Sequence, residues 1–222
     1  MVAKRAVLAV LTVIGVVLLG LGAWFTFHLG PSGSATFTSI PSPGSIVVLE
    51  PSLLNRVDSP ATVSVTTRDS GPVFVGRATP SDAAAVVGGA ARTTVTGARV
   101  RSWSLVQSES GAGESPPLAA ADVWRQTVQG NGSAQLQVTQ ESAPEAVVVA
   151  TADGKPADIA ELSVTIERRA WFFQSLLVTL VGLLAAAAGG AGLWQARHRE
   201  THRDVQREAT PDPDRPTEEA SA

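Results

Sequence analysis

Residues 6–27, AVLAVLTVIGVVLLGLGAWFTF, and residues 170–194, AWFFQSLLVTLVGLLAAAAGGAGLW, contain no charged side chain and bracket a polar stretch of ordinary single-domain size. Helices over them would extend roughly 33 and 37 Å, enough to cross a hydrocarbon core of about 30 Å with some tilt. The pattern predicts an α+β chain in which two transmembrane helices flank a mostly β extracytoplasmic domain containing one short helix. In numbers, this gives an N-terminus at 1–5, spans at 6–28 and 170–195, a linker at 29–45, a domain at 46–169 and a disordered tail at 196–222.

An N-terminal apolar run can also be a secretion signal, and length separates the two. Thirteen Val, Leu, Ile and Phe residues lie between Val7 and Phe27. At about 0.3–0.6 kcal/mol each they favour insertion by roughly 4–8 kcal/mol, and a signal core is usually only about 7–15 residues long. The run ends in Trp24, Phe25 and Phe27, suited to the membrane interface, and the small-residue alternative for cleavage is Gly33-Ser34-Ala35. A retained anchor is expected. Lys4 and Arg5 precede the first span and Arg197, Arg199, Arg203 and Arg207 follow the second, whereas Arg168 and Arg169 alone lie near a span on the loop side. Because basic residues are held on the cytoplasmic side, both tails are expected there, in a plasma membrane, with the central domain outside.

There is no Cys and no Tyr, Ala, Val and Gly are abundant, and Arg supplies fifteen of the seventeen basic residues. That usage suggests a GC-rich bacterium, and the two spans an envelope protein. Without Cys, the domain must be held by its core rather than by disulfides, and a net charge of −3 argues against a nucleic-acid partner.

Within the domain, the segments 46–50, 62–68 and 73–78 are Val- and Thr-rich and separated by turn residues, which predicts successive strands. Thr79-Pro80-Ser81-Asp82 supplies a capping hydroxyl, a proline for the first helical position and an acid in the first turn. A helix to about Ala91 is expected, weakened by Gly88 and Gly89. Residues 93–106 predict one or two strands carrying Val100 and Trp103, and 107–121 a long loop. A hairpin is expected from 123–129 and 133–139 about Gly130-Asn131-Gly132, and a further pair from 146–152 and 162–168.

Val73-Phe74-Val75-Gly76, the helix start at Pro80 to Asp82, Asp122-Val123-Trp124 and the run Val147 to Gly154 together resemble a recurring module of uncharacterised actinobacterial membrane proteins, over most of residues 46–169. Those proteins usually carry an aromatic near the middle of the helix, where this chain has Ala84 to Val87. The resemblance implies a β-rich domain displayed outside the membrane and no known chemistry.

Candidate chemical groups each have a plainer reading beside them. His28, His198 and His202 all lie outside the domain, so no histidine-dependent triad or ordinary zinc site is expected within it. His198 and His202 have metal-compatible spacing but sit among arginines, as in a basic juxtamembrane segment. Lys155, the one domain lysine, is the base a serine hydrolase would need, and after Asp153-Gly154 it reads as an exposed turn residue. Asp153, Asp158 and Glu161 match no calcium loop. Trp103 and Trp124 are the candidate contacts for a ligand or partner, against core packing. In the second span, Gly182, Ala186 and Gly190 place small residues one turn apart, a face for the first span, for a membrane protein partner or for a second copy. No cofactor or metal is expected. The chain is expected to contact the lipid bilayer and to act by binding, as an interaction or accessory module of the cell envelope or, alternatively, as a receptor for an envelope glycan or lipid.

Overall fold

The computed structural model describes residues 2–54, 59–139 and 144–208, with 2 and 196–208 traced by backbone alone. In chain order the elements begin with helix α1 (Val2–Leu29), strands β1 (Ser34–Ser39) and β2 (Ile46–Leu49), and the short helix α2 (Pro51–Leu54). Strands β3 (Ala61–Thr67) and β4 (Pro72–Ala78), helix α3 (Pro80–Val87), and strands β5 (Arg92–Arg99) and β6 (Ser104–Ser110) follow. Strands β7 (Gln126–Asn131), β8 (Ser133–Val138), β9 (Ala146–Ala150) and β10 (Ile159–Glu167) complete the domain, and helix α4 (Arg169–Glu208) ends the described chain. The chain divides into two compact units, one of Met1–His28 with Trp171–Ala222, the other Leu29–Ala170. The architecture is α+β, with one large sheet and two long apolar helices toward the termini.

The helical unit is an antiparallel pair whose contact seam is small. Ser175 receives a hydrogen bond from Thr26 at 3.1 Å. Cβ atoms added at Gly22, Gly182, Gly15 and Gly189 would fall within 2.3–2.5 Å of Thr179, Leu19, Ala186 and Thr12 respectively. The seam therefore reads Thr12, Gly15, Leu19, Gly22, Thr26 on α1 and Ser175, Thr179, Gly182, Ala186, Gly189 on α4. Both steps alternate three and four, the heptad spacing of a left-handed helix pair. Most of the large side chains point the other way: Val13, Val17, Leu21, Leu177, Leu180 and Leu184 are each at least half exposed, while Leu8 meets the seam at Gly192. Both helices are long and apolar enough to cross a membrane by length and composition.

In the second unit the strands form one sheet in the order β7-β4-β9-β2-β5-β6-β1-β10-β3-β8. Its first and last strands are joined by the single residue Gly132, so the sheet bends until its two ends share a corner. At that corner Gly132 has φ +78°, donates its N–H to the Gly71 carbonyl at 2.9 Å and accepts from Thr67 N–H at 2.8 Å. β3 turns into β4 there, β7 turns into β8 beside it, and each keeps its partner: Thr66 opposes Ser133 and Pro72 opposes Asn131.

β2, β4 and β9 are covered on both faces. Ile46, Phe74, Ala78, Ala146, Val148 and Ala150 form one core cluster with Ala83 and Val87 of α3 and with Leu118. Val47, Leu49, Val73, Val75, Val147 and Val149, on the opposite faces of the same strands, are equally buried. β3, β8 and β10 instead alternate, burying Val63, Val65, Leu136, Val138, Leu162 and Val164 on one face only. α3 begins as its sequence requires: Thr79 Oγ1 accepts from Asp82 N–H and Pro80 takes the first turn. It stops at Gly88, φ +55°, whose N–H returns to the Ala84 carbonyl.

Several expectations are corrected. The 29–45 linker contains β1, with Ala35 and Phe37 buried and every residue from Ser34 to Ser39 paired with β10. The 123–139 hairpin does not form, because β7 pairs with β4 and β8 with β3. β9 and β10 do not pair with each other either; β9 lies between β2 and β4, and β10 between β1 and β3. β6 runs to Ser110, into the expected loop, and Val100 and Trp103 sit in the β5–β6 turn rather than in a strand. The helix ends at Val87 instead of Ala91, and a second short helix, α2, is present. α4 continues through 196–208, where a disordered tail was expected; residues 209–222 lie outside the described part.

Gly132 and Gly154 both have positive φ, but only at Gly154 would a Cβ collide with backbone, 2.2 Å from the Pro116 carbonyl oxygen. Gly132→Ala is expected to cost about 1–2 kcal/mol, the penalty of a left-handed backbone, and Gly154→Ala distinctly more. Thermal unfolding of the two variants should rank them in that order; equal midpoints would refute the distinction.

Candidate functional site

Of the two tryptophans singled out as ligand contacts, Trp124 is used by the core. Its ring meets Phe74 edge-on at 5.4 Å, and its indole N–H donates to the Leu118 carbonyl at 2.7 Å. Gly76 makes the space: a Cβ there would lie 2.6 Å from the Trp124 ring. Trp124 thus locks the 118–124 segment over β4, and its one polar atom is satisfied internally.

Trp103 is placed differently. It closes the β5–β6 turn with φ +50°, and its ring stacks on Phe37 of β1 at 5.4 Å with 24° between planes. Its carbonyl accepts from Thr38 N–H at 3.1 Å. The residue is half-buried and fixes the tip of the β5–β6 hairpin to β1. The structure does not bring the two tryptophans into one site.

The acidic candidates also separate. Asp153 is engaged by Lys155 at 2.8 Å and by the Thr151 hydroxyl. These hydrogen bonds, that from Lys155 first, lower its carboxyl to about 2, and the same contact raises the Lys155 ammonium. Asp158 pairs with Arg68 at 3.2 Å. Lys155 is therefore an exposed, paired turn residue, and among the described residues no group of three or more His, Asp or Glu is placed to hold a metal ion. The side chains of His198 and His202 lie outside the described residues.

Sequence reasoning missed two features. The first is Glu145, 4% exposed, which meets Arg77 at 3.2 Å and Arg125 at 3.0 Å. The cluster clasps β4, the entry to β7 and the entry to β9. A buried carboxylate between guanidinium groups is costly to strip of a partner, about 3–5 kcal/mol, so its place here is structural. The second is a groove of about 420 Å³ between α3 and the parallel pair β2–β5, lined by Val48, Glu50, Ala84, Val87, Arg92 and Thr94 among others. That volume lies within the range of small-molecule pockets, about 300–1,000 Å³. Arg92 donates to the Gly88 carbonyl at 2.7 Å at one wall, closing the last turn of α3. The groove exists because β2 and β5 pair in parallel with Ile46 opposite Arg92, and no local pattern announces a pairing across that much chain.

In α4 the three small candidates do not act alike. Gly182 and Ala186 face α1, and Gly15 approaches the Ala186 backbone so closely that an added Cβ would lie 2.3 Å from its nitrogen. Gly190 has nothing within 4 Å of an added Cβ, and Gly189 takes its place in the seam.

The chain matches no protein-family model, no curated protein and no solved structure. The likeness to actinobacterial membrane proteins therefore rests on the quoted residues alone.

Two measurements follow. Trp124→Ala should destabilise the domain by about 3–5 kcal/mol, whereas Trp124→Phe should lose only about 1 kcal/mol with its hydrogen bond; a Trp124→Ala protein melting like wild type would mean that the ring is not core. Gly182→Leu should disrupt the helix pair, read as lost proximity between labels on α1 and α4, while Gly190→Leu leaves it intact.

Proposed function

We propose that this chain is an integral protein of a bacterial plasma membrane, with both tails cytoplasmic and residues 29–169 outside, and that it acts by binding as an interaction or accessory module of the cell envelope. The observation that supports this reading best is the inverted helix pair, whose seam is mostly small and polar residues while most of its large apolar side chains point outward. A water-soluble pair would reverse that distribution, because apolar surface is driven out of water. In lipid the driving force is close packing and interhelical hydrogen bonding, which the Gly15–Gly182 and Thr26–Ser175 contacts supply. The distribution of Lys and Arg at the span ends supports the orientation.

Binding rather than catalysis is supported by how the domain's polar groups are engaged. Glu145, Asp153, Asp158 and Lys155 each have a partner in a turn or a strand-end clasp. The α3 groove favours a second reading, a receptor for a small envelope ligand such as a glycan or lipid fragment, which would place recognition on Glu50, Arg92 and Thr94 instead of the tryptophans.

Extraction from native membranes in mild detergent, followed by mass spectrometry, separates the two. A stoichiometric protein companion that survives Ala84→Trp, which fills the groove, supports the accessory role. Recovery of the chain alone, with a bound small molecule that Ala84→Trp abolishes, would replace it with the receptor.

A further inference from the structure

Four arginines gather at one end of the sheet. Arg99 ends β5, Arg101 lies in the turn after it, and Arg168 and Arg169 follow β10; all four are exposed. Strand register puts them at one end, on β5 and β10 with β6 and β1 between. β1 begins where β10 ends, Ser34 opposite Glu167, and Arg168 N–H donates to the Gly33 carbonyl at 3.1 Å. β6 runs parallel to β1 with Ser104 opposite Thr38, so the turn preceding Ser104, held at Phe37 and Thr38, projects toward the start of β1. Among the described acids, register places Glu167 there, and Glu50, whose N–H donates to the Val95 carbonyl, flanks β5 toward the same end. Asp69, Asp158 and Glu161 belong to the other end, where Ile159 opposes Thr67 and Glu161 opposes Thr66.

The β5–β6 tip is held and presented. Trp103 anchors it to Phe37, and Val100, 46% exposed, stands between the two arginines at the turn. Leu29 and Ala170, where the domain's chain continues into the two apolar helices, are at this same end of the sheet. An apolar side chain flanked by guanidinium groups matches the layering of a bilayer surface, phosphates outside and hydrocarbon beneath.

We propose that this end of the sheet, through Arg99, Val100 and Arg101, docks on an anionic phospholipid surface, the arginines pairing with headgroup phosphates and Val100 entering the headgroup layer. Arginine suits the role because its planar fork contacts phosphate oxygens in pairs. Arg168 and Arg169 add to the attraction without shaping the tip. The inference rests on the membrane reading of α1 and α4, and it is testable separately from it.

The chain has no native Cys, so a single introduced one reports a single place. The full chain carrying Val100→Cys with an environment-sensitive dye is reconstituted in nanodiscs of phosphatidylcholine alone, or of phosphatidylcholine and phosphatidylglycerol in equal parts. Quenching by a spin label at the lipid headgroup is then measured. Quenching is expected with phosphatidylglycerol and should fall with added salt. Each arginine near the surface contributes roughly fivefold, so Arg99→Gln with Arg101→Gln should lower the docked-to-free ratio by about 25-fold. Dye at Ser133→Cys, at the opposite end, should stay unquenched throughout. Equal signals from positions 100 and 133, or quenching indifferent to the arginine pair, would overturn the proposal. A third label at Val13→Cys tests the premise: if acyl-chain spin labels do not quench it, membrane anchorage itself fails, and if they do while position 100 stays in water, the docking alone fails.

Discussion

Gly132 donates its N–H to the Gly71 carbonyl and accepts from Thr67 N–H, and these two bonds hold the place where a two-stranded ribbon bends as a unit. Both of its chains turn together, β3 into β4 and β7 into β8, so that Thr66 opposes Ser133 before the bend and Pro72 opposes Asn131 after it. A corner made by one chain alone would abandon ladder hydrogen bonds, each costly when buried. The bend carries β4 to β9, which lies beside β2, and these three strands then need cover on both faces. α3, Leu118 and Trp124 supply it on one side, and the near-continuous apolar run of β9 is the sequence signature of that double burial.

This explains why most of the domain's strands were legible and their pairing was not. Alternation in Ala61–Thr67 or Ser133–Val138 shows which face is buried, since side chains point to opposite faces with a period of two. It does not show which neighbour the edge meets. Gly130-Asn131-Gly132 has the composition of a hairpin turn, and the same permissive backbone serves a corner equally well. β1 was hidden because Ser34–Ser39, with its Thr and Ser on the exposed face, looks like linker until Ala35 and Phe37 find β10. The start of α3 was readable because it is fixed by contacts within four residues of Thr79, whereas its end falls at Val87, before the expected Ala91. The Glu145 clasp and the α3 groove depend on long-range pairings and had no local signal.

In the helices the apolar runs were plain, and what needed coordinates was the phase of the small residues. Gly182, Ala186 and Gly190 form a ladder with a step of four, but a left-handed pair stays in register at 3.5 residues per turn on average, alternating steps of four and three. That drift retains Gly182 and Ala186, passes over Gly190 and selects Gly189. Ser175 and Thr179 extend the seam in the same phase, and a search for glycine alone overlooks them.

Because Trp124 and the domain's paired acids are taken up by packing and turns, the proposed recognition would fall to the α3 groove and the arginine end. The two are of different kinds. A ligand in the groove would be lined by α3, β2 and β5, and those walls would have to supply its affinity by themselves. The arginine tip has only two guanidinium groups and one valine, too little for a free protein to hold a membrane. Tethering changes that arithmetic: a segment linked to anchored helices meets the surface at an effective concentration in the millimolar range or above, so a weak contact suffices to bias the domain toward one orientation. Electrostatic docking of this strength would be reversible and salt-sensitive, fixing the direction in which the groove opens without holding the domain rigidly. The valine and the arginine pair would then govern how the domain is presented, and the groove or a membrane partner would govern what it binds.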